Sequence, residues 1–221
     1  MRTRILGRTG VHVSEVGFGG APAGISNYAH EWNPAALESE AQLTAAVHRA
    51  IDLGYTLFDT APAYGAGRGE ELFGRALAGH RAKVFLATKA GWRDEEHERS
   101  IPASLDASLR RLGTDWVDLL QIHGNYEDCY DATDVERILN GGVLASYERA
   151  REQGKARFLG ITSEYPHTLI PLIQSGRFDV VQLKYNVLYQ EPYHHVLPLC
   201  DQMNVGVLVM RSNTSGLPLL C

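Results

Sequence analysis

Short apolar segments alternate with longer amphipathic segments along most of the chain. The amphipathic segments repeat apolar residues at helical spacing, and most are followed by a glycine, as Gly54 follows residues 38–53. The apolar segments predict strands at residues 16–20, 55–58, 84–88, 117–122, 158–161, 180–183 and 205–210. The amphipathic segments predict helices at residues 38–53, 70–77, 104–112, 139–153, 169–174 and 196–203. A hairpin precedes them, in which residues 4–6 and 11–13 flank a turn containing Gly7 and Gly10.

Strict alternation of strands and helices is typical of either an open doubly wound sheet or a closed barrel. The strands are apolar on both faces, as parallel strands covered by helices must be. The turn after the first strand, residues 17–22, lacks the GxGxxG spacing of a dinucleotide-binding sheet and has Pro22 where a helix would begin. The glycine run at residues 65–69 does not match that spacing either. The pattern therefore favours an α/β fold of the (β/α)8 TIM-barrel type, with about seven of the eight units present in a single incomplete domain over residues 1–221.

Composition and charge narrow the class of protein. The chain is 44% hydrophobic and 21% charged, which is typical of a globular protein with a substantial core. A net charge of −5 argues against nucleic acid as the main partner. Its three cysteines, Cys129, Cys200 and Cys221, form no CxxC pair and indicate free thiols in a reducing compartment. The chain start has no signal-peptide pattern, and no segment approaches the roughly 20 apolar residues of a membrane helix, so we expect a soluble cytoplasmic protein without membrane or metal partners.

Polar residues follow three neighbouring predicted strands at the point where each strand ends. Asp59 ends the second strand, Lys89 the third and His123 the fourth, and Tyr64 lies in the loop after Asp59. Because the carboxyl ends of barrel strands meet at one rim, we expect these four side chains to lie close together. Taken singly, each has an ordinary structural explanation: a helix cap, a solvated lysine, a structural histidine and a packed tyrosine.

The combination of these residue types indicates acid–base chemistry on a carbonyl group. A lysine and an aspartate at the ends of adjacent apolar strands must pair, because an unpaired buried charge is costly. The ammonium group is expected to lower the pKa of Tyr64 and so to improve the phenol as a proton donor near neutral pH. A neutral His123 opposite the phenol would then hydrogen-bond a substrate oxygen and fix its position.

Six segments of the chain resemble the aldo-keto reductase family, and they occur in the family's order from residue 5 to about residue 210. These segments are LGRTGVHVSEVGFGG, LFDTAPAYG, VFLATKAG, SLDASLRRLGTDWVDLLQIH, GKARFLGIT and VVQLKYN. The most specific part is FDTAxxYG followed by a strand-ending TK and then by QIH. The opening hairpin is similar to the β-hairpin plug at the bottom of the barrel in that family.

The resemblance implies a role for each of the four polar residues. Tyr64 would be the general acid in the reduction of an aldehyde or ketone, Lys89 paired with Asp59 would lower its pKa, and His123 would orient the carbonyl. The hydride would come from the nicotinamide of NADPH, or return to NADP⁺ when the corresponding alcohol or sugar is oxidised. The resemblance leaves the choice between NADP and NAD and the identity of the small-molecule substrate open.

The cofactor residues implied by the resemblance match the family less completely. Thr162 and Gln182 match residues that hold the nicotinamide carboxamide, and Ser163 stands where an asparagine is usual. Serine still offers one hydrogen bond, but it reaches less far. Many members stack an aromatic ring on the nicotinamide near the position of Met210, so here Met210 or Arg211 would have to cover that ring.

The end of the sequence leaves three explanations open. In the family, a segment after the eighth strand supplies most contacts to the 2′-phosphate and the pyrophosphate, and the sequence stops before it. The chain is a fragment of a longer reductase, or a natural truncation whose open edge is covered by a homo-oligomer partner or by residues 212–221, or a protein that has given up dinucleotide binding. The alternative functions are a cofactor-free lyase or isomerase using the same four residues, and an inactive truncated homologue that serves as a binding subunit.

Substrate contacts are the least defined part of the prediction. Tyr28, Trp32 and Trp92 lie in predicted rim segments, where they line an apolar pocket or simply pack within their loops. Residues 125–128 follow His123 and are expected to shape the rim.

Overall fold

The computed structural model of the chain describes residues 1–28, 31–91, 95–124 and 129–213, without the side chains of residues 95–99. The strands are β1 Thr3–Ile5, β2 His12–Ser14, β3 Phe18–Gly19, β4 Leu57–Asp59, β5 Phe85–Ala90, β6 Val117–Ile122, β7 Ala156–Ser163, β8 Val180–Lys184 and β9 Gly206–Met210. The helices are α1 Ala21–Gly24, α2 Leu37–Asp52, α3 Arg68–Ala76, α4 Glu95–Leu112, α5 Ala132–Asn140, α6 Val143–Glu152, α7 Ile170–Gln174 and α8 Val196–Gln202. None of the described helices is long and apolar enough to cross a membrane.

Strands β3 to β9 form one curled sheet of seven parallel strands in chain order. Each strand therefore pairs with the strand that follows it in sequence, through a helical crossover of the kind that parallel pairing requires. The seven predicted strands and the barrel-type fold are confirmed. Among the described residues, the outer edges of β3 and β9 have no strand partner, so the sheet is an open half-barrel.

The inside of the curled sheet is filled at its base by the hairpin of β1 and β2. Leu6 and Val13 from the hairpin pack against inward-facing residues of the sheet, which are Leu57, Phe85, Ala87, Leu119, Val180 and Leu208. Two backbone contacts fix the hairpin at opposite sides of the sheet. The Ser14 N–H donates to Thr56 Oγ1 at 2.8 Å, just before β4, and the Arg8 N–H donates to the Asn204 carbonyl at 2.6 Å, just before β9. The predicted hairpin plug is confirmed.

The helices bury their apolar stripes against the outer face of the same sheet. On α2, the predicted positions Leu43, Val47 and Ala50 are buried, and they join a core that includes Phe58 and Leu120 from the strands. Full burial of one such side chain contributes about 1.5–3 kcal/mol relative to its exposed state. Alternate strand residues face opposite sides, so most residues on the helix-facing side are apolar, with Thr88 and Asp118 as buried exceptions, and the inward-facing side carries polar residues near its rim.

The predicted helices differ from the structure in three places. The helix predicted over residues 104–112 begins nine residues earlier, as α4 Glu95–Leu112. The helix predicted over residues 139–153 is two helices, because Gly141 and Gly142 interrupt it and Gly142 has a left-handed φ of 105°. The first of the pair, α5, was not predicted, although Asp131 caps it by accepting a hydrogen bond from the Asp134 N–H at 2.8 Å. Pro22 was taken as an obstacle to a helix, yet it lies in the first turn of α1, where the missing N–H costs nothing.

Candidate active site

The structure brings Asp59, Tyr64, Lys89 and His123 together at the carboxyl end of the strands. Lys89 Nζ lies 2.7 Å from Asp59 Oδ2 and donates to Tyr64 Oη at 3.3 Å. The rings of Tyr64 and His123 meet edge to face, with centroids 5.9 Å apart and planes at 87°. The four residues are therefore one connected polar cluster, as the sequence predicted.

Strand geometry explains why these side chains share one surface. Leu57, Ala87 and Leu119 face the inside of the curled sheet, so the residues two places further along each strand, Asp59, Lys89 and Gln121, face inward as well. Lys89 and Gln121 are direct register partners on β5 and β6. Each strand thus changes from apolar packing at the base of the barrel to polar groups near its rim.

Close backbone packing positions the loop that carries Tyr64. A Cβ atom on Gly24 would lie 2.3 Å from the Tyr64 carbonyl oxygen, and one on Gly65 would lie 2.0 Å from the Gly24 carbonyl oxygen. Only glycine allows this approach, and Gly65 also has a left-handed φ of 65°. Helix α1 therefore holds the loop against the barrel and directs the phenol toward Lys89.

Lys89 stays charged although its side chain is only 2% exposed. Burial alone lowers the pKa of Lys89, but the Asp59 carboxylate and the Tyr64 phenol raise it more, so the net pKa lies above its ordinary value. The Thr60 carbonyl accepts a further hydrogen bond from Nζ at 2.9 Å. The ammonium group is thus held by three oxygen atoms from β4 and the loop after it.

The pKa of Tyr64 departs from the sequence prediction. We expected the nearby ammonium group to lower it, but burial of the phenol raises the pKa above its ordinary value, and Lys89 offsets only part of that effect. The expected direction was wrong because it counted the charge of Lys89 without the loss of water around the ring. Tyr64 is accordingly a neutral phenol at physiological pH and starts any reaction with its proton in place.

His123 is neutral at physiological pH, as predicted. Burial, together with the nearby positive charge of Lys89, lowers the pKa of His123 to about 3. Its backbone N–H donates to the Ala90 carbonyl at 2.8 Å, which fixes the chain at the end of β6. A neutral imidazole offers one donor and one acceptor nitrogen to a substrate.

The depressed pKa of His123 makes the folded state sensitive to acid. Between about pH 6.5 and pH 3 the unfolded chain binds a proton at His123 and the folded chain does not, so stability falls as the pH falls through this range. We expect the wild-type chain to lose up to about 2 kcal/mol more between pH 7 and pH 5 than His123→Asn does. Urea unfolding at the two pH values measures the difference; equal losses would contradict a buried neutral imidazole.

Two of the predicted cofactor residues lie side by side on the inner surface. Thr162 on β7 and Gln182 on β8 are register partners. Thr162 Oγ1 accepts a hydrogen bond from the Gly124 N–H at 2.8 Å, which leaves its hydroxyl proton available. Gln182 is 7% exposed, and its Oε1 has no hydrogen-bond partner among the described residues. A buried amide oxygen without a donor fits a ligand that brings an N–H group, such as a nicotinamide carboxamide.

The other predicted cofactor residues have different surroundings. Ser163 is fully buried on the opposite face of β7, where its Oγ accepts from the Tyr165 N–H at 2.9 Å and lies 3.1 Å from the Tyr165 carbonyl. Met210 faces inward as the register partner of Lys184. The Arg211 guanidinium pairs with the Glu164 carboxylate at the rim. The cofactor roles of these three residues stay predictions. The role of Ser163 is the least favoured, because its hydroxyl is already hydrogen-bonded within the turn at Tyr165.

An apolar cavity of about 440 Å³ opens beside β3, between α1 and α2. Tyr28 and Trp32, for which the sequence left open an apolar pocket or packing within their loops, both line this cavity together with Phe18 and Pro22. Trp92 and residues 125–128, named for the same rim, lie outside the described residues.

Two residues that support the site, Gln121 and Tyr147, were not predicted from the sequence. Gln121 donates to Asp59 Oδ1 at 3.0 Å; a glutamine in an otherwise apolar strand, two residues before His123, was the available signal. The Tyr147 hydroxyl from α6 lies 2.9 Å from the Ala90 carbonyl and 3.3 Å from that of Gln121, so it ties the ends of β5 and β6 together. No local sequence pattern predicts the contacts of Tyr147, because they join residues that are far apart in the chain.

Comparison with known proteins gives the family. The sequence model of the Aldo/keto reductase family matches residues 15–218. The chain belongs to this family. The resemblance of the six sequence segments is thereby confirmed, and so is the barrel type inferred from it.

Several relatives match over nearly the whole chain. L-galactose dehydrogenase of Arabidopsis thaliana is 35% identical over 97% of this chain and 66% of its own length. The uncharacterized oxidoreductase YqkF of Bacillus subtilis is 29% identical over 98% of this chain and 66% of its own. Among solved structures, the holo form of aldo-keto reductase AKR11C1 from Bacillus halodurans is similar with a TM-score of 0.76 and 29% identity, over 95% of this chain and 65% of that one. The chain spans just under two thirds of the length of these three proteins.

Proposed function

We propose that this chain carries the acid–base and nicotinamide-binding part of an NADP(H)-dependent oxidoreductase. Its reaction is the reduction of an aldehyde or ketone, or the oxidation of the corresponding alcohol or sugar. The observation that carries the proposal is Lys89 Nζ, which lies 2.7 Å from the Asp59 carboxylate and 3.3 Å from the Tyr64 hydroxyl. A phenol beside a buried, charge-compensated ammonium group suits the transfer of a proton to a carbonyl oxygen.

Tyr64 acts as the general acid in this proposal. Its raised pKa keeps the phenol protonated before reaction, and Lys89 donates its hydrogen bond to the phenol oxygen, so the phenol proton is free to point at a substrate. When the proton moves to the carbonyl oxygen, the phenolate that remains lies beside the ammonium group. Lys89 therefore stabilises the charged state of Tyr64 more than the neutral state, which is the condition for lowering a reaction barrier.

His123 orients the substrate oxygen. Its ring meets that of Tyr64 edge to face, so both groups border the same space at the rim of the barrel. Because the pKa of His123 is lowered to about 3, the imidazole donates a hydrogen bond without adding a second positive charge beside Lys89. A carbonyl oxygen held between the phenol and the imidazole receives two donors at once.

Gln182 and Thr162 fit the nicotinamide carboxamide of the cofactor. Gln182 Oε1, which has no hydrogen-bond partner among the described residues, would accept from an amide N–H, and the Thr162 hydroxyl would donate to an amide oxygen. When bound, NADP(H) supplies a hydride to the carbonyl carbon or accepts one from the alcohol. Met210 faces the same interior and is the residue on β9 that would cover the ring.

The matched proteins support this class of reaction. Besides L-galactose dehydrogenase, they include the glycerol dehydrogenase AKR11B4 of Gluconobacter oxydans, 26% identical with a TM-score of 0.74 over 97% of this chain. Both names describe oxidation of a hydroxylated small molecule. The family match over residues 15–218 supports a single barrel domain, and we keep a small-molecule substrate and a cytoplasmic location as parts of the proposal.

Calorimetric titration of the folded chain with NADPH and NADH tests the proposal, together with an assay for NADPH oxidation on a panel of aldehydes and ketones. We expect NADPH to bind and turnover to require it. Absence of binding of either dinucleotide at high micromolar concentration would refute it, and turnover of a carbonyl compound without dinucleotide would favour the lyase or isomerase alternative.

Replacement of Gln182 by methionine is expected to weaken NADPH binding by about tenfold, the effect of one lost hydrogen bond. The variant keeps the length of the side chain but removes the amide oxygen for which the described part of the chain offers no partner. The matched control is Gln202→Met, at an exposed position on α8, which should bind NADPH as the wild type does. Equal affinity of the Gln182 and Gln202 variants would remove Gln182 from the proposed cofactor site.

A further inference from the structure

Gln121 is a fully buried polar residue beside Asp59 and Lys89, two of the four site residues. It is 0% exposed in a strand whose other residues are apolar except Asp118. Its Nε2 donates to Asp59 Oδ1 at 3.0 Å, while Asp59 Oδ2 pairs with Lys89 Nζ at 2.7 Å. Each oxygen of the Asp59 carboxylate therefore has its own partner, and the two partners are register neighbours on β5 and β6.

The orientation of the Gln121 amide is set by its neighbour. Only the NH₂ group can face a carboxylate, because the reverse orientation would place two acceptors together. The amide oxygen then has no hydrogen-bond partner among the described residues. A residue present only to fill space would avoid an unsatisfied buried carbonyl, so the contact with Asp59 is the feature that explains a glutamine here.

The neighbouring strand leaves room for this side chain. Gly160 on β7 is the register partner of Gln121, and a Cβ atom there would lie 3.1 Å from Gln121 Cγ. An alanine at position 160 would press on the glutamine stem and on the Val180 carbonyl oxygen, which lies 3.0 Å from the same point. The missing side chain at Gly160 thus gives Gln121 the space in which it reaches Asp59.

We infer that Gln121 is a positioning residue for the reaction proposed above. It fixes the rotation of the Asp59 carboxylate, so that Asp59 holds Lys89 Nζ against the Tyr64 hydroxyl. The inference rests on the proposed function for its effect on turnover, but its structural half, the placement of Lys89 beside Tyr64, does not depend on any substrate.

Gln121→Met is the first test, since methionine has a similar length and no donor. We expect kcat to fall about 10- to 100-fold, the loss for one hydrogen bond to a charged group, with little change in KM. The thermal midpoint should fall only moderately, because the volume at position 121 is preserved while Asp59 Oδ1 loses its donor. An unchanged kcat in the folded variant would overturn the inference, and Gln202→Met serves as the unaffected control.

Gln121→Glu gives a signature that a merely space-filling residue would not show. A protonated glutamic acid donates to Asp59 as the amide does, whereas its carboxylate repels Asp59. Among the described residues, the charged and titratable groups nearest to Gln121 are Asp59 and Lys89, with His123 and Tyr64 further along the rim. We expect the ratio of variant to wild-type kcat to rise as the pH falls; a ratio independent of pH would contradict the positioning role.

A measurement without substrate separates failure of this inference from failure of the proposed function. The titration of Tyr64 is read as the ultraviolet difference between a protein and its Tyr64→Phe counterpart. In Gln121→Met a less firmly held Lys89 offsets the effect of burial less, so the Tyr64 midpoint should lie higher than in the wild type. Absence of turnover in the wild type would count against the proposed function. A Tyr64 titration midpoint in Gln121→Met equal to that of the wild type would overturn the positioning role of Gln121, whether or not the wild type turns over.

Discussion

Replacement of Tyr64 by phenylalanine is expected to lower kcat for carbonyl reduction by about 10²- to 10⁴-fold, the usual contribution of a general acid. The change removes one oxygen atom and leaves Lys89 paired with Asp59 and Thr60. NADPH affinity should therefore stay within about twofold, since the phenol is not among the groups proposed to hold the cofactor. Steady-state kinetics combined with calorimetric titration separates these two effects.

Tyr193→Phe is the matched control for the loss of a phenol hydroxyl. Tyr193 lies in the segment before α8, is 61% exposed and has no part in the cluster of four residues. It should keep the activity of the wild type. A Tyr64→Phe variant that retained a tenth or more of wild-type kcat would assign the proton transfer to another group.

Replacement of Lys89 by methionine should affect both turnover and stability. Without the ammonium group, the phenolate left after proton transfer has no positive partner, so kcat should fall by about 10²-fold or more. The Asp59 side chain, 15% exposed, keeps its contact with Gln121 but loses its opposite charge. Breaking such a buried pair from one side costs about 3–5 kcal/mol, and the residual exposure of Asp59 places the expected loss near the lower value.

Lys155→Met provides the comparison for an ordinary surface pair. Lys155 Nζ lies 2.6 Å from Asp106, but both side chains are about a third exposed or more. Its loss should cost less than about 1 kcal/mol. Urea unfolding of both variants and the wild type measures the two losses in free energy of unfolding. Equal losses would show that the Lys89–Asp59 pair contributes no more to stability than an exposed surface pair.

Much of the site was predictable because the strands of the barrel pair in chain order, so residues that follow successive strands lie next to one another. Asp59, Lys89 and His123 each follow an apolar segment, and parallel strands in chain order bring such positions to one rim. The alternation of strand faces then predicts that these side chains point inward. Thr162 and Gln182 came from the family resemblance instead, and the structure makes them register partners on β7 and β8.

Other features depended on packing that no local pattern encodes. The direction of the Tyr64 pKa shift reflects burial under α1, which follows from the close approach of Gly24 and Gly65. Ser163 lies on the face of β7 opposite Thr162, and its hydroxyl is occupied by the turn at Tyr165 that follows the strand. The surroundings of Tyr64 come from segments that meet only in the folded chain, whereas the contacts of Ser163 are local and follow from a turn that was not predicted from the sequence.

The hairpin plug has a consequence for the order in which the chain folds. Its two anchors join Ser14 to Thr56 and Arg8 to Asn204, and the side chain of Arg8 reaches the Met203 carbonyl 195 residues away. Contacts of such long sequence separation form late, because the intervening chain must first be ordered. The hairpin therefore completes its contacts with the segment before β9 late in folding, and the curvature of the sheet is secured only when β9 is in place.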